Sequence, residues 1–267
     1  MNKRTSEFTP LQGARGAEPA KKNILLLILK LLVSLVLYFI ISLPSVSQSI
    51  NYSNIFGTDW DKALAFERDN RNWMQPVLEH NKIPYDYAIA VIFPELVRYS
   101  ALRDKMEITL LKALYINLGE QYANFSIGQY QIKPSFAETI HSEGPSVLGR
   151  RSGIRFKQPG EFESISYYRK SIVVDLEKPE TEFNYVVAFY KICEKKYRIN
   201  SMDEIHKLKF LATAYNFGID KSAEQIELMI DTKYFNTKLF KTENYSYADV
   251  ALFWYLNNKT GSGDGRK

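Results

Sequence analysis

The sequence contains very little cysteine or histidine, with one Cys and three His among 267 residues. A single cysteine excludes an internal disulfide, and the helical spacing of Cys193 with Val186 and Phe189 predicts a small residue of the core. The histidines are scattered and show no spacing typical of metal ligands. We therefore predict no metal site and no cofactor, and no Ser/His/Asp hydrolase signature is present.

The chain also lacks a basic surface outside its N-terminus. Its net charge is +5, but residues 1–47 hold six basic and two acidic groups, which leaves 29 basic and 28 acidic groups in residues 48–267. A nearly neutral body gives no electrostatic reason to expect DNA or RNA as a partner.

The N-terminal segment carries the longest apolar run. Residues 1–22 are polar and predicted to be disordered. Residues 23–47 contain the run 24–43, which is interrupted only by Lys30 and two serines. It fits either a signal peptide cleaved after the "SVS" that precedes Gln48 or an uncleaved membrane anchor. Both predict export, to the periplasm or the outer face of the inner membrane of a bacterium.

From about residue 58 onward the pattern is helical almost throughout, and we predict one all-α domain, residues 48–258, followed by a flexible Gly-rich tail, residues 259–267. No alternation of period two is sustained. Residues 145–160 contain several glycines and predict a loop. A capping pattern from Ser201 to Glu204 predicts the start of a late helix.

One carboxylate stands out in "VIFPELVRYS", residues 91–100. Glu95 follows a proline and lies between apolar neighbours, at what we predict to be a helix end. A carboxyl group that is kept partly dry holds a proton nearer neutral pH, as a general acid requires. Because Arg98 would oppose this effect if it pointed inward, we expect Arg98 to point outward or to contact substrate.

Two further stretches follow Glu95 in the chain. "ANFSIGQYQIKPSF" supplies Gly128 and Gln131 in a predicted turn, and "LATAYNFG" supplies Tyr215 and Asn216 at a predicted helix end. With Glu95, these stretches resemble, in order and in residue type, the lysozyme-like catalytic domain of lytic transglycosylases and goose-type lysozymes. The resemblance covers roughly residues 85–220. Leu96 stands where the family often has Ser, and "GQYQ" replaces a "GLMQ"-like turn.

The resemblance implies a lysozyme-like helical fold and an activity on peptidoglycan glycan strands. Glu95 would be the single acid/base that cleaves the β-1,4 bond between N-acetylmuramic acid and N-acetylglucosamine, which gives a 1,6-anhydro product. Gly128, Gln131, Tyr215 and Asn216 would form the substrate-binding site: Gly128 and Gln131 would belong to the turn that lines the cleft, Gln131 and Asn216 would bind acetamido groups, and Tyr215 would also orient Glu95 by a hydrogen bond.

Two alternatives stay open from the sequence. A hydrolytic lysozyme would use water and most often a second carboxylate, for which Glu120 is the candidate. A non-catalytic envelope protein would keep the same fold as a glycan-binding or scaffold module, which Leu96 and the altered turn allow.

Overall fold

A computed structural model describes residues 27, 29–34, 50–101, 105–237 and 243–259. Contacts divide the chain into two units, residues 1–50 and residues 51–267. In the first unit, residues 29–34 are helical. The predicted disordered lead, most of the predicted signal or anchor segment, and nearly all of the tail lie outside the described residues. Within the part that is described, no helix combines the length and the hydrophobicity needed to cross a bilayer.

The second unit is mainly α-helical, which confirms the predicted all-α class. Its described residues form ten α-helices: α1 (Tyr52–Phe56), α2 (Thr58–His80), α3 (Tyr85–Ala101), α4 (Lys105–Leu118), α5 (Pro134–Glu143), α6 (Ile165–Leu176), α7 (Pro179–Lys196), α8 (Glu204–Phe217), α9 (Ala223–Met229) and α10 (Tyr247–Asn258). Single turns of 3₁₀ helix lie between α5 and α6, at Gly144–Ser146, Arg150–Ser152 and Pro159–Glu161, and a fourth precedes α8 at Ile199–Ser201.

A small antiparallel ribbon joins α9 to α10. It pairs β1 (Lys233–Phe235) with β2 (Tyr245–Ser246), with an irregular register between Lys233 and Phe235. The sequence does not predict this ribbon, because strands of three and two residues are too short for an alternating pattern to be visible.

Helix α3 lies at the centre of the second unit and packs against α2, α8 and α10. Residues 88–97 are all buried, as expected for a helix that is apolar on every side. The ring of Phe93 contacts two indoles, with centroid distances of 4.7 Å to Trp60 and 5.3 Å to Trp254. This packing fixes α3 two residues before Glu95.

The start of α8 differs from the sequence prediction. The N-cap is Asp203, whose side chain accepts a hydrogen bond from the backbone of His206 at 3.0 Å, whereas Ser201 lies in the preceding 3₁₀ turn. An aspartate directly before the first helical residue satisfies an orphan N–H of the first turn, so it replaces the predicted serine cap.

Candidate active site

Glu95 is buried inside α3 and is not at its end, so the prediction of a helix terminus was wrong. The helix continues through Pro94 to Ala101, and only 2% of Glu95 is exposed. A proline cannot donate to the preceding turn. Nearby, the hydroxyl of Tyr247 on α10 donates to the carbonyl of Val91 at 2.9 Å. Pro94 deprives the carbonyl of Ala90, and not that of Val91, of its N–H donor, and the helix continues past this position within the buried stretch 88–97.

Two side chains hold the carboxylate of Glu95. Nη1 of Arg98 donates to Oε1 at 2.9 Å and to Oε2 at 3.0 Å. Nδ2 of Asn216, from α8, donates to Oε1 at 2.8 Å. Arg98 therefore turns toward Glu95, which corrects the first of the two expected positions, pointing outward; the second, contact with substrate, stays a prediction. The spacing of three residues on one helix brings the two side chains to the same face.

The protonation of Glu95 is set by opposing effects. Burial raises its pKa, whereas the charge of Arg98, the hydrogen bond from Asn216 and the charge of Lys133 lower it. Burial has the larger effect, so the pKa lies above the ordinary value for glutamate. A raised pKa is what a general acid needs in order to carry a proton near neutral pH.

The ribbon holds Arg98 from another direction. The guanidinium of Arg98 lies over the ring of Phe235, 4.5 Å from its centroid. Its Nε donates to the carbonyl of Asn236 at 3.4 Å. Arg98 thus has contacts that do not depend on Glu95, made to a part of the chain that the sequence analysis did not connect to the site.

The predicted turn closes as a tight loop between Ile127 and Ile132, whose backbones pair with each other at 2.9 and 3.0 Å. Gly128 has φ of +76° and Gln131 has φ of +55°. The side chain of Gln131 donates from Nε2 to the carbonyl of Gly128 at 2.9 Å. The side-chain amide of Gln131 therefore makes one hydrogen bond inside the turn. Gln131 also lines the cavity described below.

A second buried carboxylate, Glu182 on α7, binds the backbone of this turn. It is fully buried and accepts hydrogen bonds from the backbone N–H groups of Gln129 at 2.7 Å and Tyr130 at 2.9 Å. Burial raises its pKa well above the ordinary value, the backbone N–H groups of the turn lower it, and the charge of Glu95 raises it further.

Gly128 is required by this close approach. A Cβ at residue 128 would lie 2.0 Å from the carbonyl oxygen of Leu176 and 2.4 Å from Oε2 of Glu182. Gly128 is not among the residues that line the cavity, so its position supports a role in shaping the turn and not a direct contact with a ligand.

Sequence reasoning missed Glu182, although a signal for it exists. In "PETEFNYVVAFYKIC", Glu182 occupies the same helical face as Val186, Phe189 and Cys193, at spacings of four, seven and eleven residues. All four are buried. An acid on the apolar face of a helix needs partners in the interior, and that requirement could have identified it.

Tyr215 contacts the turn and not Glu95, which corrects the predicted hydrogen bond. Its hydroxyl donates to the carbonyl of Tyr130 at 2.9 Å, and its ring packs edge-on against Phe136 and Phe189 at 5.3 and 5.2 Å. The neighbouring Asn216 makes the contact with Glu95 that was expected of Tyr215. The "AYN" stretch therefore joins the turn to the acid through two successive side chains.

The candidate site contains one cavity of about 610 Å³. Of the residues predicted from the sequence, Glu95, Gln131, Tyr215, Asn216 and Glu120 line it. Its wall also presents short polar side chains, namely Asn124, Ser126, Ser135, Thr139 and Ser142. Such a surface offers many hydrogen-bond donors and acceptors to a polar ligand.

Other charged side chains also line this cavity. They are the basic Arg98, Lys133 and Lys221 and the acidic Glu138 and Asp220. Glu138 accepts a hydrogen bond from Tyr115 at 2.8 Å, and Asp220 pairs with Lys221 at 2.6 Å. Across the described ranges, no group of three or more His, Cys, Asp or Glu side chains is arranged to hold a metal ion.

Comparisons of the chain with protein-family models, with curated proteins and with solved structures gave no match in any of the three.

Proposed function

We propose that this chain is a glycan-cleaving enzyme of the bacterial cell wall, of the lytic transglycosylase type, with Glu95 as its acid and base. The observation that carries the proposal is a buried carboxyl group with a raised pKa on the wall of a polar cavity. Cleavage of a glycosidic bond requires a proton on the leaving oxygen, and a carboxyl group that is neutral near pH 7 supplies it.

Several residues around Glu95 and the cavity have roles in this proposal. Asn216 orients the carboxyl through its hydrogen bond to Oε1. Gln131 and the short polar side chains of the cavity bind acetamido and hydroxyl groups of the glycan. Glu182 and Tyr215 act at one remove, because they hold the backbone of the turn that carries Gln131.

With one acid, the reaction proceeds without an attacking water. Glu95 protonates the leaving oxygen while the acetamido oxygen of the N-acetylmuramic acid residue attacks its anomeric carbon. Glu95 then takes the proton of the 6-hydroxyl group, whose oxygen displaces the acetamido oxygen. The product carries a 1,6-anhydro ring, and Glu95 ends the cycle protonated.

Two observations favour other functions. Glu120 lines the same cavity as Glu95, and a second carboxylate favours hydrolysis by water, as in a lysozyme. The paired state of Glu95 and Arg98 favours a non-catalytic glycan-binding protein, because an acid neutralised by a cation donates protons poorly.

Export to the cell envelope belongs to the same proposal. It rests on the apolar run 24–43 and its basic lead, and the partner it implies is peptidoglycan. Mass spectrometry of the mature protein tests it: an N-terminus at Gln48 supports a cleaved signal, and the intact chain in the membrane fraction supports an anchor. The full chain in the cytoplasm would contradict both.

The decisive experiment incubates the purified protein with peptidoglycan and measures the masses of the products. A 1,6-anhydro end is one water lighter than a reducing end, so the result separates a transglycosylase from a lysozyme. Binding without any product would support the non-catalytic alternative and refute the proposed activity.

A further inference from the structure

The pairing of Glu95 with Arg98 presents a chemical problem for the proposed function. Both oxygens of Glu95 accept from one nitrogen of Arg98, at 2.9 and 3.0 Å. A cation in this position stabilises the ionised carboxylate, whereas a general acid must carry a proton. The pair must therefore separate, at least partly, before Glu95 can act.

The structure provides a place where a ligand could separate them. Arg98 and Glu95 both line the cavity, but the side chain of Arg98 is 19% exposed and that of Glu95 only 3%. A ligand in the cavity therefore meets the guanidinium more readily than the carboxylate. The contacts of Arg98 with Phe235 and the carbonyl of Asn236 can hold the guanidinium at the cavity after it leaves Glu95.

A second carboxylate can compete with Glu95 for the guanidinium. Carboxylates match the donor fork of arginine in two parallel hydrogen bonds. Lys133 also lines the cavity, and its charge acts on Glu95, so a second cation is available to the same anion. Glycan strands from which the stem peptides have been removed present such a group at the bond in question, because their N-acetylmuramic acid carries a free lactyl carboxylate and N-acetylglucosamine carries none.

We propose that Arg98 is a specificity residue, whose guanidinium binds a carboxylate of an acidic sugar and thereby frees Glu95 to take up a proton. This inference rests on the proposed function and names the substrate feature that activates the site, which is the free lactyl carboxylate of a strand without stem peptides. The exchange is balanced: one carboxylate replaces another at Arg98, and Glu95 gains one proton from solvent. Binding of the acidic sugar is therefore coupled to proton uptake.

Other groups around Glu95 influence the same titration. They are Arg98 on α3, Lys133 beside the turn, Glu182 on α7, Tyr215 on α8, Tyr234 on β1 and Tyr247 on α10. Among the six, Arg98 is the group that both bonds to Glu95 and lines the cavity, so a ligand can alter its contact directly.

The test measures binding of N-acetylmuramic acid and of N-acetylglucosamine to the full chain by calorimetry, at several pH values and in buffers of different ionisation enthalpy. We expect the acidic sugar to bind more tightly as the pH falls, with net uptake of up to one proton. The neutral sugar should bind with no linked proton. In Arg98→Gln, the acidic sugar should lose about tenfold or more in affinity, and the linked proton should disappear.

Two variants keep the test specific. Arg98→Lys retains the charge without the planar fork, and we expect an intermediate loss. Arg71→Gln is the matched control, because Arg71 pairs with the buried Glu67 at 2.7 Å and lies over the ring of Tyr85 at 4.9 Å but is not among the residues lining this cavity. It should keep the preference for the acidic sugar and the linked proton.

Three results would overturn the inference: no binding of the acidic sugar, equal affinity for both sugars in the unaltered chain, or an unchanged linked proton in Arg98→Gln. These outcomes are separate from those of the activity test. A chain that couples acidic-sugar binding to proton uptake but releases no product refutes the proposed activity alone. A chain that cleaves glycans without this coupling refutes the role of Arg98 alone.

Discussion

Glu95 and Glu182 are both buried acids beside the same turn, but their partners differ in kind. The partners of Glu95 are the side chains of Arg98 and Asn216, and its carboxyl borders the cavity. The partners of Glu182 are backbone N–H groups of the turn, and it is not among the residues lining the cavity. Side-chain partners can move when a ligand enters, whereas backbone partners are fixed by the fold. A raised pKa alone therefore does not separate a reactive acid from a structural one.

The strongest way to test this contrast is to replace each acid with its amide. Glu95→Gln keeps the shape of the side chain but can neither give nor reclaim a proton. General acid–base catalysis contributes about 10²–10⁴-fold, and we expect a loss at or above the top of that range in product release from peptidoglycan. Circular dichroism should show an unchanged helical content.

The matched variant for this measurement is Glu120→Gln. A transglycosylase that uses Glu95 alone should tolerate it, whereas a lysozyme that uses two carboxylates should lose activity. Cleavage that persists in Glu95→Gln would contradict the assignment and direct attention to Glu120.

A second prediction concerns the contact that places Glu182 against the turn. In Gly128→Ala, the added methyl group meets Leu176 and Glu182 at 2.0 and 2.4 Å. We expect overpacking to lower the free energy of unfolding by about 1–3 kcal/mol, in addition to about 1–2 kcal/mol for the left-handed backbone. Chemical denaturation measures the sum.

Gly153→Ala is the control for this substitution. Gly153 has nearly the same φ, +72°, but a methyl group there meets nothing within 4 Å. It should therefore show only the smaller backbone effect. Equal losses in the two variants would mean that the close packing at Gly128 contributes nothing.

Glu182→Gln should change how stability depends on pH. Burial raises the pKa of Glu182 above its ordinary value of 4.5, so the folded chain binds its proton more tightly than the unfolded chain does. The resulting stability is fully present below pH 4.5 and is lost as the pH rises through the folded-state pKa. The unaltered chain should therefore lose stability relative to Glu182→Gln as the pH increases.

The titratable groups that face Glu182 are Glu95, Tyr130 and Tyr215. They are present in both proteins, so the comparison isolates Glu182. Denaturation of both proteins over a series of pH values measures the difference. A constant difference at all pH values would show that Glu182 has the same proton affinity in the folded and unfolded chains.

The smallest effects are expected from substitutions of Tyr215 and Asn216, which should differ in how they change the pH dependence of activity. Tyr215→Phe removes a hydrogen bond to the turn, which contributes about 0.5–1.5 kcal/mol, and should leave the pH dependence of activity unchanged. Asn216→Ala removes a donor that lowers the pKa of Glu95, so its pKa should rise and the alkaline limb of the pH–rate profile should move to higher pH. The reverse pattern would restore the role that the sequence suggested for Tyr215.

The sequence predicts the all-α class because the apolar faces of helices are local features, whereas the helix limits near Glu95 and Ser201 were wrong. It also indicates Glu95, Gln131, Tyr215 and Asn216 as candidates, and the structure brings all four to one cavity. The individual contacts were not predictable. Whether Tyr215 or Asn216 reaches Glu95 depends on the rotation of α8 against α3, which is set by packing across the unit. The position of Arg98 depends on the ribbon, which gives no periodic signal.

The tryptophans give this molecule built-in optical reporters at both acids. Trp60 and Trp254 contact Phe93, two residues before Glu95, and Trp73 contacts Phe183, the residue after Glu182, at 5.3 Å between ring centroids. These three are all the tryptophans of the chain. Replacing Trp73 with Phe leaves emission from the surroundings of α3 alone, while a chain that retains only Trp73 reports on α7. Ligand-induced changes near the two glutamates can thus be recorded separately by fluorescence, without attaching any dye.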